Sequence, residues 1–240
     1  MKPLLVSIDF EYNSTEERLL NLVSCSLCFP GGTNEDYWLH KDFKSIKSLS
    51  YRIQELRDLG YAFISFNVVA DARACLSLID VDPLTIEWYD LYLEWRCLTN
   101  HNNNMSYGKH YKNGKVITTQ APKPKWQQSE EDSEEADKSK PPMGLGGFLY
   151  KMLGVEIDNV FKESTRDLII SRPESFTDEE KKTILTYGAS DTKYLIPAFL
   201  KVIAEYKRLL GNKFSASELA SEMKYRANYA ARTAIMERDG

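Results

Sequence analysis

The sequence predicts an α/β fold in which a mixed five-stranded sheet is flanked by helices. Three β-rich runs come first and are joined by short connections: residues 4–12, 19–29 and 36–41. Short connections join antiparallel neighbours, so these runs should form a meander. A helical run at 45–60 then leads to a fourth β-rich run at 61–67, and a strand that follows a helix indicates a parallel crossover. Residues 84–88 add a fifth strand.

The remaining segments are predicted to be helical. The run 45–60 has apolar residues at helical spacing and stops at Gly60, and residues 68–80 and 89–98 show helical patterns as well. Two capping boxes begin the late helices, Thr177-x-x-Glu180 and Ser215-x-x-Glu218. Between them, Pro197 should kink or split the long helical run.

Composition and charge exclude several classes of protein. With 240 residues, 42% hydrophobic and 28% charged, the chain is in the globular range and long enough for one large domain. No apolar run approaches the roughly 20 residues of a membrane span, which predicts a soluble, cytoplasmic protein without a membrane partner. A net charge of −4 excludes a globally basic surface as the means of holding nucleic acid. The four cysteines lie in apolar contexts and are expected to be reduced thiols rather than a zinc site.

The domain limits are predicted from a change of composition at Asn100. Residues 100–143 hold few core residues and include the acidic run 129–142, which indicates a flexible insertion. We therefore expect one domain over 1–210 that contains this insertion, followed by a C-terminal helical segment at 211–240.

The first candidate site is a pair of carboxylates in the first strand. Asp9 and Glu11 are two residues apart, so their side chains point to the same face, about 6.6 Å apart at the backbone. The pattern Asp-x-Glu also occurs at 132–134 and 178–180, in a predicted linker and at a helix start. Only Asp9 follows a buried-type strand, where two unpaired carboxylates are unfavourable without a cation. This context favours shared metal ligation.

Two further pairs have a spacing of four residues. Asn67-x3-Asp71 lies at the carboxyl end of the fourth strand, where functional sites often form, although either residue alone is also a suitable helix cap. Tyr187-x3-Asp191 lies inside a predicted helix, and the small residues at 188–190 leave room for close approach. The alternative for this second pair is a buried tyrosine with an unrelated acidic neighbour.

In this order, the three motifs resemble those of the DEDD 3′-to-5′ exonucleases, in the tyrosine-bearing subgroup found as proofreading domains of family A DNA polymerases. The residues that match are Asp9-Phe10-Glu11, Asn67-x3-Asp71 and Tyr187-x3-Asp191. The resemblance covers residues 4–98 and 144–210 and implies a ribonuclease H-like sheet. Residues 230–240 also resemble the passage from exonuclease to polymerase domain in phage-type enzymes. This implies a polymerase domain as partner, in the same chain or as a separate subunit, and extends the expected location to a phage-infected bacterial cell.

A metal-dependent hydrolysis is the expected chemistry. Four neighbouring carboxylates would repel one another without cations, and oxygen ligands favour two Mg²⁺ or Mn²⁺ ions. The resemblance implies that Asp9 bridges both ions, that Glu11 and Asp191 complete the ion on the side of the nucleophile, and that Asp71 serves the other. Tyr187 would orient the attacking water, because a phenol with a pKa near 10 is a poor base at neutral pH. The expected products are nucleoside monophosphates released from single-stranded or frayed DNA 3′ ends.

Seven other side chains are expected to contact the substrate: Phe10, Tyr12, Phe66, Asn67, Lys151, Lys162 and Arg166. The aromatic ones would stack on the last base, Asn67 would steady the terminal nucleotides, and the basic ones would hold phosphates. A solvated helix face is the alternative for the three basic residues. Two other functions stay open, an RNA 3′-end-trimming exonuclease of the same superfamily and a non-catalytic module that binds nucleic acid or a partner.

Overall fold

A computed structural model describes residues 4–14, 20–103, 109–112, 115–118, 144–171 and 174–239. Its main sheet has the strands β1 (Leu4–Ser14), β2 (Leu20–Cys28), β3 (Asn34–Trp38), β4 (Tyr61–Ser65) and β5 (Glu87–Asp90). The strand order is β3-β2-β1-β4-β5. The pairs β1–β2 and β2–β3 are antiparallel, whereas β1–β4 and β4–β5 are parallel. The predicted meander followed by parallel crossovers is therefore confirmed.

Eight helices belong to the described part of the chain. They are α1 (Phe43–Asp58), α2 (Val68–Cys75), α3 (Leu91–Asn103), α4 (Leu145–Leu153), α5 (Asn159–Ser171), α6 (Asp178–Thr192), α7 (Leu195–Leu210) and α8 (Ala216–Asp239). Short 3₁₀ turns occupy Pro83–Thr85 and Gly211–Lys213. Both predicted capping boxes are present, since each cap hydroxyl accepts from the glutamate N–H and each glutamate carboxylate accepts from the cap N–H.

Several element boundaries differ from the sequence-based expectation: β3 covers Asn34–Trp38 rather than 36–41, and α2 ends at Cys75 rather than at residue 80. The fifth strand begins at Glu87 rather than at residue 84, because the Asp82 carboxylate caps a 3₁₀ turn by accepting from the Leu84 N–H at 2.9 Å. The long C-terminal run is split near Pro197, as expected: the first helix ends at Thr192, and Pro197 falls in the first turn of α7. Proline is tolerated there because the first N–H groups of a helix have no partner within the helix.

Alternation along β1 divides the core into two layers. Val6, Ile8 and Phe10 are buried on one face of the sheet, in a cluster that includes apolar side chains of α1, α2 and α8. Leu5 is buried on the opposite face, in a cluster with side chains of α3, α4 and α7. Because side chains alternate along a strand, the odd-numbered residues of β1 share the face of Leu5, and Asp9 is one of them.

The C-terminal helix α8 packs on this core. Ala227, Ala231 and Ala234 belong to the buried cluster around β1. Arg226 donates two hydrogen bonds to the fully buried carboxylate of Glu94 on α3, at 2.7 and 2.8 Å. The helix is thus anchored by apolar contacts and by an ion pair whose carboxylate is buried. The division of the chain at residue 210 stays a prediction.

Of the predicted insertion at 100–143, the described parts are the end of α3 and a hairpin of β6 (Lys109–Lys112) and β7 (Lys115–Thr118). The expected flexibility of this insertion falls on residues outside the described part. The four cysteines are free, and three of them are buried. Among the described residues, no helix combines the length and the apolar character that a membrane crossing requires.

Candidate active site

Three of the predicted carboxylates meet at one edge of the sheet. Among the described residues, Asp9, Glu11 and Asp191 each offer a ligand oxygen, and these oxygens lie within 4.8 Å of one another. Asp9 and Glu11 pair with Ser26 and Ser24 of β2, and the register shifts at a bulge directly after Glu11. A bulge bends a strand and redirects its side chains, so the strand changes direction where the carboxylates are presented.

Helix α6 supplies the third carboxylate because it can approach the sheet very closely. The Ser7 hydroxyl on β1 donates to the Thr192 carbonyl at 2.9 Å and so holds the end of the helix. A Cβ atom at Gly188 would stand only 2.9 Å from Ser26 Oγ on β2. Glycine at this position thus allows the close contact that brings Asp191 and Tyr187 to β1. Of the small residues at 188–190, Gly188 is the one that makes this close contact with the sheet.

The fourth carboxylate, Asp71, has a different environment. It is 3% exposed on α2, and its Oδ1 accepts from the backbone N–H of Phe10 at 3.1 Å. Its Oδ2 accepts from the hydroxyl of Ser65, at the end of β4. Asp71 lines the same cavity as the other three carboxylates but lies outside the group of oxygens within 4.8 Å. Two hydrogen bonds therefore fix its orientation beside the cluster.

Burial and mutual repulsion set the charge of the cluster. Burial, and then the neighbouring Asp191 carboxylate, raise the pKa of Asp9 from 3.8 to about 7. Burial, followed by Asp9 and Asp191, raises the pKa of Glu11 well above its ordinary value, and burial does the same for Asp71. Each of these shifts disfavours the ionised form, as expected for carboxylates crowded in a poorly solvated site.

The donor set fits a divalent cation. Within the described part of the chain, Asp9 Oδ2 and Asp191 Oδ1 are buried without a hydrogen-bond partner. A buried, unpartnered carboxylate oxygen is unfavourable, and a cation removes that penalty. The oxygens of Asp9, Glu11 and Asp191 are hard ligands of the kind that Mg²⁺ and Mn²⁺ prefer.

Lys162 and Tyr187 complete the immediate surroundings. The Lys162 ammonium on α5 donates to Asp191 Oδ2 at 2.6 Å and lies 5.4 Å from the centre of the Tyr187 ring. Burial, and next the Glu11 carboxylate, raise the pKa of Tyr187 far above its ordinary value. The phenol therefore keeps its proton at any physiological pH and can act as a hydrogen-bond donor.

The cluster opens into a cavity of about 460 Å³. The predicted substrate residues that line it are Phe10, Tyr12, Phe66, Asn67, Lys162 and Arg166. Phe10 is only 5% exposed and packs in the core, so it is mainly its backbone N–H that contributes to the site, through Asp71. Lys151 is exposed on α4 and is not among the residues that line the cavity. Substrate contacts of all these side chains stay predictions.

Sequence reasoning missed three residues that support the site. Ser65 contacts both the Asp71 carboxylate and the backbone N–H of Asn67. Asp90, at the end of β5, accepts from the first N–H of α2 and from Leu93 on α3, and Tyr92 lines the cavity. The rule that selected Asn67, a polar residue at the carboxyl end of a parallel strand, would also have selected Ser65 and Asp90.

Comparison with known proteins agrees with the observed topology. No protein-family model and no curated protein sequence matches the chain. A solved structure described as the apo form of the nuclease has a TM-score of 0.60 and 16% identity, over 98% of this chain and 86% of that one. The EXO domain of Aedes aegypti Nibbler has a TM-score of 0.51 and 11% identity, over 93% of this chain and 87% of that one. The chain therefore has the ribonuclease H-like α/β fold that these structures share.

A third similar structure extends the likeness to a longer protein. Escherichia coli RNase D, described as an exoribonuclease involved in structured RNA processing, gives a TM-score of 0.50 and 17% identity. The match covers 94% of this chain and 45% of RNase D, so the chain spans less than half the length of that protein. At such identities the likeness establishes the fold alone.

Proposed function

We propose that the protein is a metal-dependent 3′-to-5′ exonuclease that hydrolyses the terminal phosphodiester of a nucleic acid. The observation that carries the proposal is the meeting of Asp9, Glu11 and Asp191 beside Tyr187 in one cavity, with two carboxylate oxygens that have no partner among the described residues. The descriptions of the structures that share the fold, a nuclease and an exoribonuclease, agree with it.

The carboxylates are the proposed ligands. Asp9, Glu11 and Asp191 would hold one Mg²⁺ or Mn²⁺ ion, and Asp71 would serve a second ion together with Asp9. Bound ions supply Lewis-acid activation of a water and stabilisation of the charge that develops on the phosphate. The ionised carboxylates are the form that binds a cation, and the pKa of Asp9 is raised in the metal-free site, so protonation at acidic pH should compete with metal binding and lower the activity.

Tyr187 is proposed to orient the attacking water. Because its pKa is raised, the phenol does not act as a base, and its O–H can donate one well-directed hydrogen bond. Lys162 and Arg166 line the same cavity and would contact phosphate oxygens. Tyr12 and Phe66 offer rings for stacking against a terminal base. A cavity of about 460 Å³ is within the usual range for small-ligand sites and suits the end of a single strand.

The motif resemblance favours a DNA 3′ end as the substrate. The corresponding role is the removal of mismatched ends during replication, with a polymerase domain as partner. Trimming of RNA 3′ ends is the second candidate, because RNase D, which shares the fold, is described as an exoribonuclease. The 2′-hydroxyl is the group that distinguishes these two substrates. A terminus must leave its duplex to enter such a site, so a proofreading enzyme should degrade mismatched ends faster than matched ones.

The test is degradation of 5′-labelled DNA and RNA strands of the same sequence, with Mg²⁺, with Mn²⁺ and with excess chelator. Stepwise shortening should need a divalent ion, and Asp9→Asn should lower the rate by about 10²- to 10³-fold. Asp167→Asn is the matched control, since Asp167 is exposed on α5 and does not line the cavity. Equal shortening in chelator would contradict the proposal, and absence of shortening under all conditions would favour the non-catalytic module.

The role of Tyr187 is tested separately. Tyr187→Phe should lower the rate by about 10- to 100-fold, because a poorly placed water reacts slowly, while the fold is kept. Tyr229→Phe, on the exposed face of α8, is the control and should leave the rate unchanged. Full activity of Tyr187→Phe would remove the water-orienting role and leave the metal site in place.

A further inference from the structure

The ion pair between Lys162 and Asp191 lies within the proposed metal site. The two side chains are 17% and 5% exposed, and the ammonium donates to Asp191 Oδ2 at 2.6 Å. Asp191 is also one of the three carboxylates whose ligand oxygens lie within 4.8 Å of one another. The ammonium is therefore bound to a carboxylate that the proposed function assigns to a divalent ion.

One ammonium does not satisfy the cluster. Asp9 Oδ2 and Asp191 Oδ1 find no hydrogen-bond partner in the described part of the chain, although Lys162 binds the other oxygen of Asp191. A divalent ion that uses Asp191 would repel an ammonium held 2.6 Å from the same carboxylate. Close binding of both cations is unfavourable, so the two should compete for this side chain.

The surroundings give the ammonium another place to bind. Lys162 lines the main cavity, and Arg166, one turn further along α5, lines it as well. Lys162 and Tyr187 also line a second, smaller cavity of about 190 Å³, so the lysine side chain borders free volume in two cavities. This free volume gives a lysine side chain, which has several rotatable bonds, room to move its ammonium away from Asp191.

We propose that Lys162 is an internal counter-ion that competes with the divalent ion for Asp191 and, once displaced, binds a substrate phosphate beside Arg166. This inference rests on the proposed function. It links the two binding events, because the ion that binds the carboxylates also releases the lysine that binds the phosphate. Lys162 is then a positioning residue whose removal has opposite effects on the two affinities.

The experiment measures Mn²⁺ binding by calorimetry in the absence of nucleic acid. Lys162→Met, which keeps most of the side-chain volume, should bind Mn²⁺ about tenfold more tightly than the wild type, since the loss of a charge-assisted competitor is worth about that factor. Lys162→Arg keeps the charge and should stay close to the wild type. Lys182→Met, an exposed lysine of α6 outside the main cavity, controls for the change in net charge.

A second measurement follows the phosphate. Thymidine monophosphate serves as a product-like probe. With saturating Mn²⁺, it should bind Lys162→Met about tenfold more weakly than the wild type, and it should bind the control Lys182→Met with the affinity of the wild type. A residue that only stabilised the fold would not strengthen one affinity while weakening the other. Lys162→Gln provides a second uncharged variant if Lys162→Met does not fold.

The outcomes separate the two proposals. An Mn²⁺ affinity of Lys162→Met equal to or weaker than that of the wild type would overturn the counter-ion role, even if the wild type remains an active exonuclease. Failure of the wild type to bind Mn²⁺ more tightly than Asp9→Asn would overturn the proposed function, and the counter-ion role with it.

Discussion

Without divalent ions, the stability of the protein is predicted to fall as the pH rises from acidic to neutral. The pKa of Asp9 is raised from 3.8 to about 7 in the folded protein. Between these values the folded state keeps a proton on Asp9 that the unfolded chain has lost, so deprotonation favours unfolding. The contribution of this proton to stability is complete below 3.8, the pKa of Asp9 in the unfolded chain. It is lost as the pH rises through about 7, the pKa in the folded protein.

The size of the effect follows from the same two values. A difference of about three units between the folded and unfolded pKa corresponds to at most about 4 kcal/mol in the free energy of unfolding. Roughly 3 kcal/mol of this is lost between pH 5 and pH 8. In a chain of this length, that is about 6 to 12 °C in Tm. The raised pKa values of Glu11 and Asp71 change the stability in the same direction. Bound Mg²⁺ should restore stability at the upper end of the range, because it binds the ionised carboxylates of the folded state.

The assay is urea unfolding between about pH 5 and pH 8, in chelator and in millimolar Mg²⁺. Asp9→Asn is the informative variant, because it should be less sensitive to pH in chelator and should gain little from Mg²⁺. Comparison of the two proteins isolates Asp9 from Asp90, whose pKa burial raises to about 6. A free energy of unfolding that stays constant or rises across this range in chelator, or the same slope in Asp9→Asn, would refute the reasoning.

Two substitutions outside the carboxylate cluster have further predicted effects. Gly188→Ala places a Cβ 2.9 Å from Ser26 Oγ and should lower exonuclease activity by about 10- to 100-fold. Adding Ser26→Ala to the same chain removes that contact and should restore the rate. The rate of strand shortening, measured for the single and the double variant, checks both effects. Glu94→Ala removes the buried carboxylate that binds Arg226 and should lower the free energy of unfolding by about 1 to 3 kcal/mol in urea titrations, since the remaining guanidinium is partly solvated. Glu205→Ala breaks an exposed pair and should change the free energy of unfolding by less than about 1 kcal/mol.

The parts of the fold that could be predicted depend on local patterns. The alternation in β1 put Asp9 and Glu11 on one face, and this face is indeed the one that Asp191 approaches. Asn67 and Asp71 follow β4 in the chain. Because parallel strands end at the same edge of a sheet, the sequence predicted that these two residues lie at the edge where sites form. Patterns of this kind are set by neighbours in sequence, so they can be read without coordinates.

The parts that could not be predicted depend on contacts between distant segments. The hydrogen bonds that fix Asp71 come from Ser65 and from the backbone of Phe10, and the bond from Lys162 to Asp191 joins two helices. No spacing in the sequence specifies these contacts, because each needs the packing of α2 and α6 against the sheet. Pro197 indicated that the late helical run would be interrupted, but the exact end of the first helix at Thr192 could not be predicted, since the position of a helix end depends on where the next helix packs.

The most direct test of the central claim is the position of bound Mn²⁺ in crystals, measured by anomalous scattering. The site described above predicts a Mn²⁺ peak in contact with carboxylate oxygens of Asp9, Glu11 and Asp191, with the Lys162 ammonium moved away from Asp191. Mn²⁺ peaks elsewhere, with these three carboxylates free of metal and Lys162 still bound to Asp191, would contradict it.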